Sequence, residues 1–341
     1  MSKKRVLSGM QSSGRLHLGN LLGALNNWVT LQEEFDCFYF IADWHALTSN
    51  YQETKDLNKN VFDVMVNWLS AGLDPEKSTV FVQSLVPEHA VLHLLLSMTT
   101  PLPWLERVPT YKEKQQQVTD RDLHTYGFLG YPVLQSADIL IYQAHFVPVG
   151  VDQLPHLELT REIARRFHDI TKKKVFVEPQ AKMSEVPKLL GLDNRKMSKT
   201  YNNAIYLSDS EKEIEQKIRG MITDPQRVRR NDPGDPDVCN VFSFHKIFSS
   251  GEEINQVNRE CRTAGIGCTD CKKMMGKNLL TYLQPLMEKR QKYVEDAETV
   301  YNIFIEGSKK AQTVARETLE KAEQALGVHF NRMGGKVTNK G

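Results

Sequence analysis

Residues 4–43 are KRVLSGMQSSGRLHLGNLLGALNNWVTLQEEFDCFYFIAD, and the changes of period inside this stretch decide the fold class. Residues 4–10 have the length and apolar content of a strand. A Ser- and Gly-rich turn follows over 11–19. From Asn20 to Phe35 the apolar residues Leu21, Leu22, Leu25, Trp28, Val29 and Phe35 recur at helical spacing, with Gln32 the one polar interruption. Residues 37–43 form an apolar, aromatic run of strand length. Downstream, Val61, Val64, Met65, Trp68 and Leu69 predict a second amphipathic helix, stopped by Gly72 with Pro75 beyond it. Residues 78–83 (STVFVQ) predict a third strand. Strand, helix, strand, helix, strand with short connections is the pattern of a parallel α/β sheet. Such sheets bind ligands at the carboxyl ends of their strands, where helices begin. The turn at 11–19 occupies that place.

The chain continues with a helix predicted over 88–98, an irregular basic stretch over 107–117, and a second strand–helix unit at 146–150 (FVPVG) and 157–167. After Lys199 the character changes. Segments 208–222, 252–262, 274–295 and 308–326 predict helices between polar loops, with Pro285 kinking or dividing the third. A domain boundary is expected near Tyr201, and 341 residues favour two domains over one.

Hydrophobic residues make up 40% and charged residues 25%, which excludes a disordered chain. The 20 glycines and 14 prolines have no period, so collagen-like repetition is excluded too. No run approaches the ~18–20 apolar residues of a membrane span; the richest, 91–98, is broken by His93. The first residues lack an apolar region of signal-peptide length, so a cytoplasmic protein is expected. A net charge of +2 leaves a nucleic-acid partner open, because binding depends on local patches.

Two motifs carry chemistry. In Ser12-Ser13-Gly14-Arg15-Leu16-His17-Leu18-Gly19-Asn20 the free N–H groups of a helix start suit a phosphate. Gly19 has no Cβ to hold a ligand away from the backbone, and His17 can donate to a phosphoryl oxygen. In Lys196-Met197-Ser198-Lys199-Thr200 two lysines flank a small serine, a pattern able to follow the β- and γ-phosphates of a nucleotide. K-M-S-K arises by chance in roughly a few chains per thousand at average composition. Of five cysteines, Cys37 sits alone in a strand-like run and reads as a buried small residue. Cys239, Cys261, Cys268 and Cys271 have the spacing C-x21-C-x6-C-x2-C. That spacing suits four thiolates on zinc or on an iron–sulfur cluster, and does not choose between them. The ordinary alternative is four reduced, unliganded thiols.

With HLGN and KMSKT in order, the sequence resembles the class I aminoacyl-tRNA synthetases, whose HIGH and KMSKS motifs they stand for. It resembles the tryptophanyl-tRNA synthetases over essentially its whole length, through GMQSSG (9–14), ADWHALT (42–48), YPVLQSAD (131–138), GVDQ (150–153) and HLELTREIARRF (156–167). The resemblance implies a doubly wound Rossmann-type catalytic domain (1–200), a helical anticodon-binding domain (201–300) and a C-terminal helix (301–330) packing back on the catalytic body. It implies activation of L-tryptophan with ATP and Mg2+ to tryptophanyl-adenylate, then transfer to tRNA(Trp), in a homodimer.

The implied catalytic residues are His17, Lys196 and Lys199, which stabilise charge as pyrophosphate leaves. The implied ATP site adds Gln11, Ser12, Ser13, Gly19, Asn20, Val151, Met197, Ser198 and Thr200. Within it Gly150 and Asp152 hold ribose, and Leu189 contacts adenine through its backbone. The implied tryptophan site is Gln11, Tyr131, Gln135, Asp138 and Gln153. There Asp138 accepts from the indole N–H, a donor-only group. Gln11 and Tyr131 hold the amino and carboxylate groups. Asp138 also has a plainer reading as the N-cap of a helix beginning at Ile139. Lys112 and Lys114 are within reach of the triphosphate or simply solvated.

Gln135 stands where many relatives have Met, and Leu7 where they have Phe or Tyr. A Gln135–Asp138 pair also brackets a phenolic hydroxyl, so the pocket leaves a tyrosyl-tRNA synthetase open. Asn20, GVDQ and GMQSSG favour tryptophan. A small-molecule nucleotidyltransferase would lack KMSKT followed by helices, and a non-catalytic RNA-binding paralogue is opposed by intact His17, Asn20, Lys196 and Lys199. A subset of tryptophanyl-tRNA synthetases carries a similar Cys quartet that holds a 4Fe–4S cluster. The resemblance implies that cluster here, with zinc the alternative. Arg227, Arg229, Arg230, Lys272, Lys273 and Lys277 lie beside the quartet in sequence and suit RNA phosphates.

Overall fold

The computed structural model describes residues 3–109, 111–112, 122–183, 189–199 and 201–328. Lys114, Thr200 and most of the 107–117 stretch lie outside the described residues, as do 329–330.

Five parallel strands make one sheet: β1 (Arg5–Gln11), β2 (Asp36–Ala42), β3 (Ser78–Val82), β4 (Phe146–Val149) and β5 (Gln180–Met183), in the order β3-β2-β1-β4-β5. β1 pairs with β2 from Arg5↔Asp36 to Gln11↔Ala42 and meets β4 at Val6↔Phe146. Residues 37–42 of β2 are all buried, as expected for a strand covered on both faces. From β1 the chain winds outward to β2 and β3 on one side and to β4 and β5 on the other. The reversal leaves a crevice at the carboxyl ends of β1 and β4, the place where doubly wound folds bind ligands.

The first connection is α1 (Leu18–Asn20), a π-helical turn (Leu21–Leu25) and α2 (Asn26–Glu34). The following helices are α3 (Asp43–Asn50), α4 (Leu57–Ala71), α5 (Glu88–Ser97), α6 (Leu102–Glu106), α7 (Tyr126–Ile141) and α8 (Leu154–Thr171). α4 ends as predicted at Gly72, whose φ of +107° is costly for a side-chain-bearing residue. Asp138 lies inside α7 rather than ahead of a helix, so the N-cap reading fails; Thr125 caps this helix, accepting from Phe128 N.

Beyond the lysine motif come α9 (Glu211–Arg219), α10 (Asn240–Phe248), α11 (Gly251–Arg262), α12 (Cys268–Glu295) and α13 (Ala297–Leu326). Pro285 does not divide α12, which runs through it. Burial of Leu283 and Leu286, and the pairing of Arg290 with Asp63 of α4, hold the helix on both sides of the proline. One hydrophobic cluster extends from Val6, Trp28 and Trp68 to Phe244, Met275 and Leu279, so the core is continuous across the 201 boundary.

α13 lies on the edge strand β3. A Cβ on Gly307 would collide with the Val80 carbonyl, and Ser308 Oγ accepts from Val82 N at 3.3 Å. Arg316 Nε and Gln312 Nε2 donate to Glu88 of α5 at 2.7 and 3.1 Å. Among the described residues no helix is long and apolar enough to cross a membrane.

Candidate active site

β1 delivers Gln11 to the crevice, and the chain then turns through Ser12, whose hydroxyl is buried without a partner among the described residues. Gly14 adopts φ +119°. The turn is laced to the segment that follows the lysine motif: Leu18 N donates to Ile205 O and Leu207 N to Leu16 O, both at 2.9 Å, with His17 opposite Tyr206. Asn20 reaches back, its Oδ1 accepting from His17 N at 3.0 Å. HLGN and KMSKT, about 180 positions apart in the chain, are thus brought together by backbone pairing.

Lys199 Nζ donates to Gly14 O at 2.9 Å. Its burial pushes its pKa down to about 8. Burial, followed by the nearby Lys199 charge, pushes His17 down to about 4. The imidazole is therefore neutral at pH 7, and acts as a hydrogen-bonding group rather than a cation. A Cβ on Gly19 would stand 3.0 Å from His17 Nδ1, so this glycine makes room for the imidazole.

Met197 is a core residue, 5% exposed, and leaves only its backbone to a ligand. The same holds for Leu189, whose side chain joins the hydrophobic cluster. Asn203, which sequence reasoning missed, braces the loop from within: its Oδ1 accepts from Ser198 N at 2.8 Å and its Nδ2 donates to Lys196 O at 3.1 Å. Ser13 is exposed at the turn. Gly150 leads into a short helical turn, Val151–Gln153, with Val151 and Asp152 exposed. Gln153 Nε2 donates to Asp152 Oδ2 at 3.1 Å.

Beside this turn is a cavity of about 240 Å3. Gln11, Tyr131, Gln135, Asp138 and Gln153 all line it, together with Gly9, Phe40, His45 and His156. A Cβ on Gly9 would fall 2.5 Å from the Phe40 ring, so glycine is what lets this ring lie against β1. Asp138 is fully buried. Its Oδ1 accepts from Gln83 at 2.9 Å and His89 at 2.6 Å; its Oδ2 accepts from His45 at 2.8 Å and Gln83 at 3.0 Å. Burial alone would raise its pKa, but the hydrogen bonds and charges of His45 and His89 more than offset this and hold it below the ordinary carboxylate value. An ionised carboxylate only accepts, so His45 Nε2 and His89 Nδ1 carry their protons. The other nitrogen of His89 bonds the Tyr142 hydroxyl at 2.7 Å. Sequence reasoning missed Gln83 and His89 and met His45 only inside a matching segment. The available signal was a polar residue directly after the apolar strand β3 and a histidine six positions later.

The four clustered cysteines are free thiols, with Cys271 buried. Burial, and then its neighbours Cys239, Cys261 and Cys268, push Cys271 up to about 12, which places the four in one electrostatic group. Among the described residues no set of three or more His, Cys, Asp or Glu is arranged to hold a metal ion, so the expected metal centre does not stand as a formed site. His245 Nε2 lies 3.4 Å from Cys271 Sγ, and Cys239, Cys261 and Cys268 are charge neighbours of the same thiol. Arg227 is not a free RNA contact. It is buried, with Nη2 donating to Arg230 O at 2.9 Å and Ile266 O at 2.7 Å, and Nη1 3.8 Å from Cys261 Sγ. Arg229, Arg230, Lys273 and Lys277 are exposed, while Lys272 Nζ donates to Arg219 O at 2.8 Å.

Residues 2–284 match the model of the tRNA synthetases class I (W and Y). A tryptophan–tRNA ligase of Thermotoga maritima is 54% identical over 328 residues, covering 96% of this chain and all of that relative. One from Aquifex aeolicus is 42% identical over 392 residues, covering 94% and 99%. The crystal structure of tryptophanyl-tRNA synthetase from Campylobacter jejuni, complexed with ADP and tryptophan, superposes with a TM-score of 0.88 at 34% identity, covering 95% of this chain and 99% of that one.

Proposed function

The chain belongs to the class I tRNA synthetases of the tryptophan and tyrosine group, and on that premise we propose that it is a tryptophan–tRNA ligase. It activates L-tryptophan with ATP to tryptophanyl-adenylate and pyrophosphate, then transfers the aminoacyl group to tRNA(Trp), releasing AMP. The observation that carries the reading is a fully buried, ionised Asp138 in a cavity also lined by Gln11, from which the chain continues into the HLGN turn.

In the first step the substrate carboxylate attacks the α-phosphate. Gln11 and Tyr131 orient the amino and carboxylate groups, and Asp138 accepts the indole N–H. Four hydrogen bonds already occupy Asp138, so Gln83, which spans both oxygens, yields one of its two contacts. Lys196 and Lys199 neutralise the developing pyrophosphate, and neutral His17 donates a hydrogen bond to a phosphoryl oxygen. Gly150 and Asp152 hold the ribose. Mg2+ bound with ATP would supply charge neutralisation at the phosphates. In the second step the terminal ribose hydroxyl of the tRNA attacks the activated carbonyl. No side chain forms a covalent bond; positioning and charge stabilisation supply the catalysis.

The catalytic unit is 1–200, the RNA-binding unit 201–300, and 301–330 ties the second to the first. A groove of about 900 Å3 between α9 and α12, where Arg219, Lys272, Lys273 and Lys277 outnumber Glu211 and Glu215, supports RNA contact in the second unit. The exposed apolar residues Leu85, Leu94, Met98 and Leu102, between 47% and 71% exposed, support a homodimer. Cys239, Cys261, Cys268 and Cys271 are the residues that would hold a 4Fe–4S cluster. Their grouping and all-thiol character support a thiolate-ligated cluster, which would serve as a structural cross-link.

The deciding experiment is ATP–pyrophosphate exchange without tRNA across the twenty amino acids. Exchange with tryptophan alone is expected. Exchange with tyrosine instead overturns the substrate assignment, and exchange with none overturns the activation chemistry.

A further inference from the structure

Asp209 has no part in the chemistry above, yet its side chain is only 1% exposed and is surrounded by donors from three places in the fold. Arg15 Nη2, from the turn between Gly14 and His17, donates to Oδ1 at 2.7 Å. Tyr206 N, from the segment after the lysine loop, donates to Oδ2 at 2.8 Å. Lys217 Nζ, from α9, also reaches Oδ2. The Tyr206 ring is flanked by both cations, with the Arg15 guanidinium 4.4 Å and Lys217 Nζ 4.5 Å from its centroid. Arg15 Nε adds a bond to Ser208 Oγ at 2.8 Å, and Lys217 Nζ one to Ala204 O at 2.9 Å.

The consequence lies one residue away. Arg15 adjoins Gly14, and the Gly14 carbonyl is the group that accepts Lys199 Nζ. Without the buried carboxylate, two cations would share one aromatic ring with only the exposed Glu213 carboxylate near both. Arg15, whose side chain is 45% exposed, is then free to leave for solvent and take the Gly14 peptide with it. Lys217 would release α9 from the same junction.

We propose that Asp209 is a positioning residue for the ATP step. By holding Arg15 and Lys217 at once, it sets where the Lys199 loop closes on the HLGN turn and ties α9 to that closure. This rests on the activation chemistry proposed above.

The test is Asp209→Asn in the full chain, assayed by pyrophosphate exchange with active sites counted from the burst of adenylate formation. The KM for ATP is expected to rise about tenfold, within the roughly 2- to 30-fold range of such couplings. The KM for tryptophan should stay within about twofold, because its pocket stands on β1, α7 and the Asp138 network. Combining Arg15→Gln with Asp209→Asn should raise the KM for ATP no further than either alone, since both break one junction. A merely structural role would lower the count of active sites and the melting temperature without splitting the two KM values. If Asp209→Asn does not fold, Arg15→Gln alone decides by the same split. An unchanged KM for ATP, or equal rises for both substrates, overturns the proposal. An inactive wild-type enzyme refutes the activation chemistry instead.

Discussion

Replacing Asp138 by Asn should weaken tryptophan while sparing ATP. The carboxylate is fully buried and takes four hydrogen bonds from Gln83, His45 and His89. An amide offers one oxygen and turns an NH2 group toward donors. Losing a charged acceptor for the indole N–H removes about 1.5–3 kcal/mol, or roughly a 10- to 160-fold increase in the KM for tryptophan. The KM for ATP should change by less than about twofold, because the lysine loop is held by Asn203 and Gly14 and not by this network. Each imidazole N–H left facing the amide also costs stability, about 1–3 kcal/mol for an unsatisfied buried donor, so the melting temperature should fall. Active-site counting in the exchange assay separates fewer folded molecules from weaker binding. The effect should not vary between pH 6 and 8. The folded-state pKa of Asp138 is lowered, so its stabilisation is complete above the unfolded value of about 3.9 and is lost only as pH falls through the lower folded value. An Asp138→Asn enzyme with normal active-site count and an unchanged KM for tryptophan would refute the indole role.

Lys199, pushed to about 8 by burial, should lose its proton as pH rises through that value, so kcat/KM for ATP should decline on the alkaline side; Lys199→Arg should move that limb beyond the measurable range, and a limb unchanged by it would argue for another group. His17 titrates near 4 when folded and near 6.5 when unfolded, so the unfolded chain binds the extra proton between these values. Denaturant stability should therefore fall as pH drops from about 6.5 to 4, and His17→Asn should flatten that slope. Protein purified without oxygen should be brown, with about four irons per chain and broad absorption near 400 nm, and Cys271→Ser should lose both; colourless protein with stoichiometric zinc would sink the cluster.

Strands β1 to β4 were legible because their apolar runs contrast with the helical spacing between them. β5 was not, since Gln180–Met183 is a polar, half-exposed edge. α7 escaped for the opposite reason: it is buried almost all round, so its sequence carries no one-sided stripe, and Asp138 inside it looked like a cap. The α12 proline does not divide its helix although its local cost is real, because the packing and ion pair with α4 hold both sides of it.

The motifs HLGN and KMSKT, the helical character after Lys199 and the residues of the cavity were accessible from sequence, since each is a local run or a segment matching a known family. What those residues do was decided by tertiary structure. Neutral His17, a lysine near 8, a buried Asp138 kept ionised by Gln83, His45 and His89, and Asp209 between three elements all depend on groups far apart in the chain. Periodicity and motifs are properties of neighbours along the sequence. Desolvation and the meeting of charges are properties of neighbours in space, and only the closed fold specifies them.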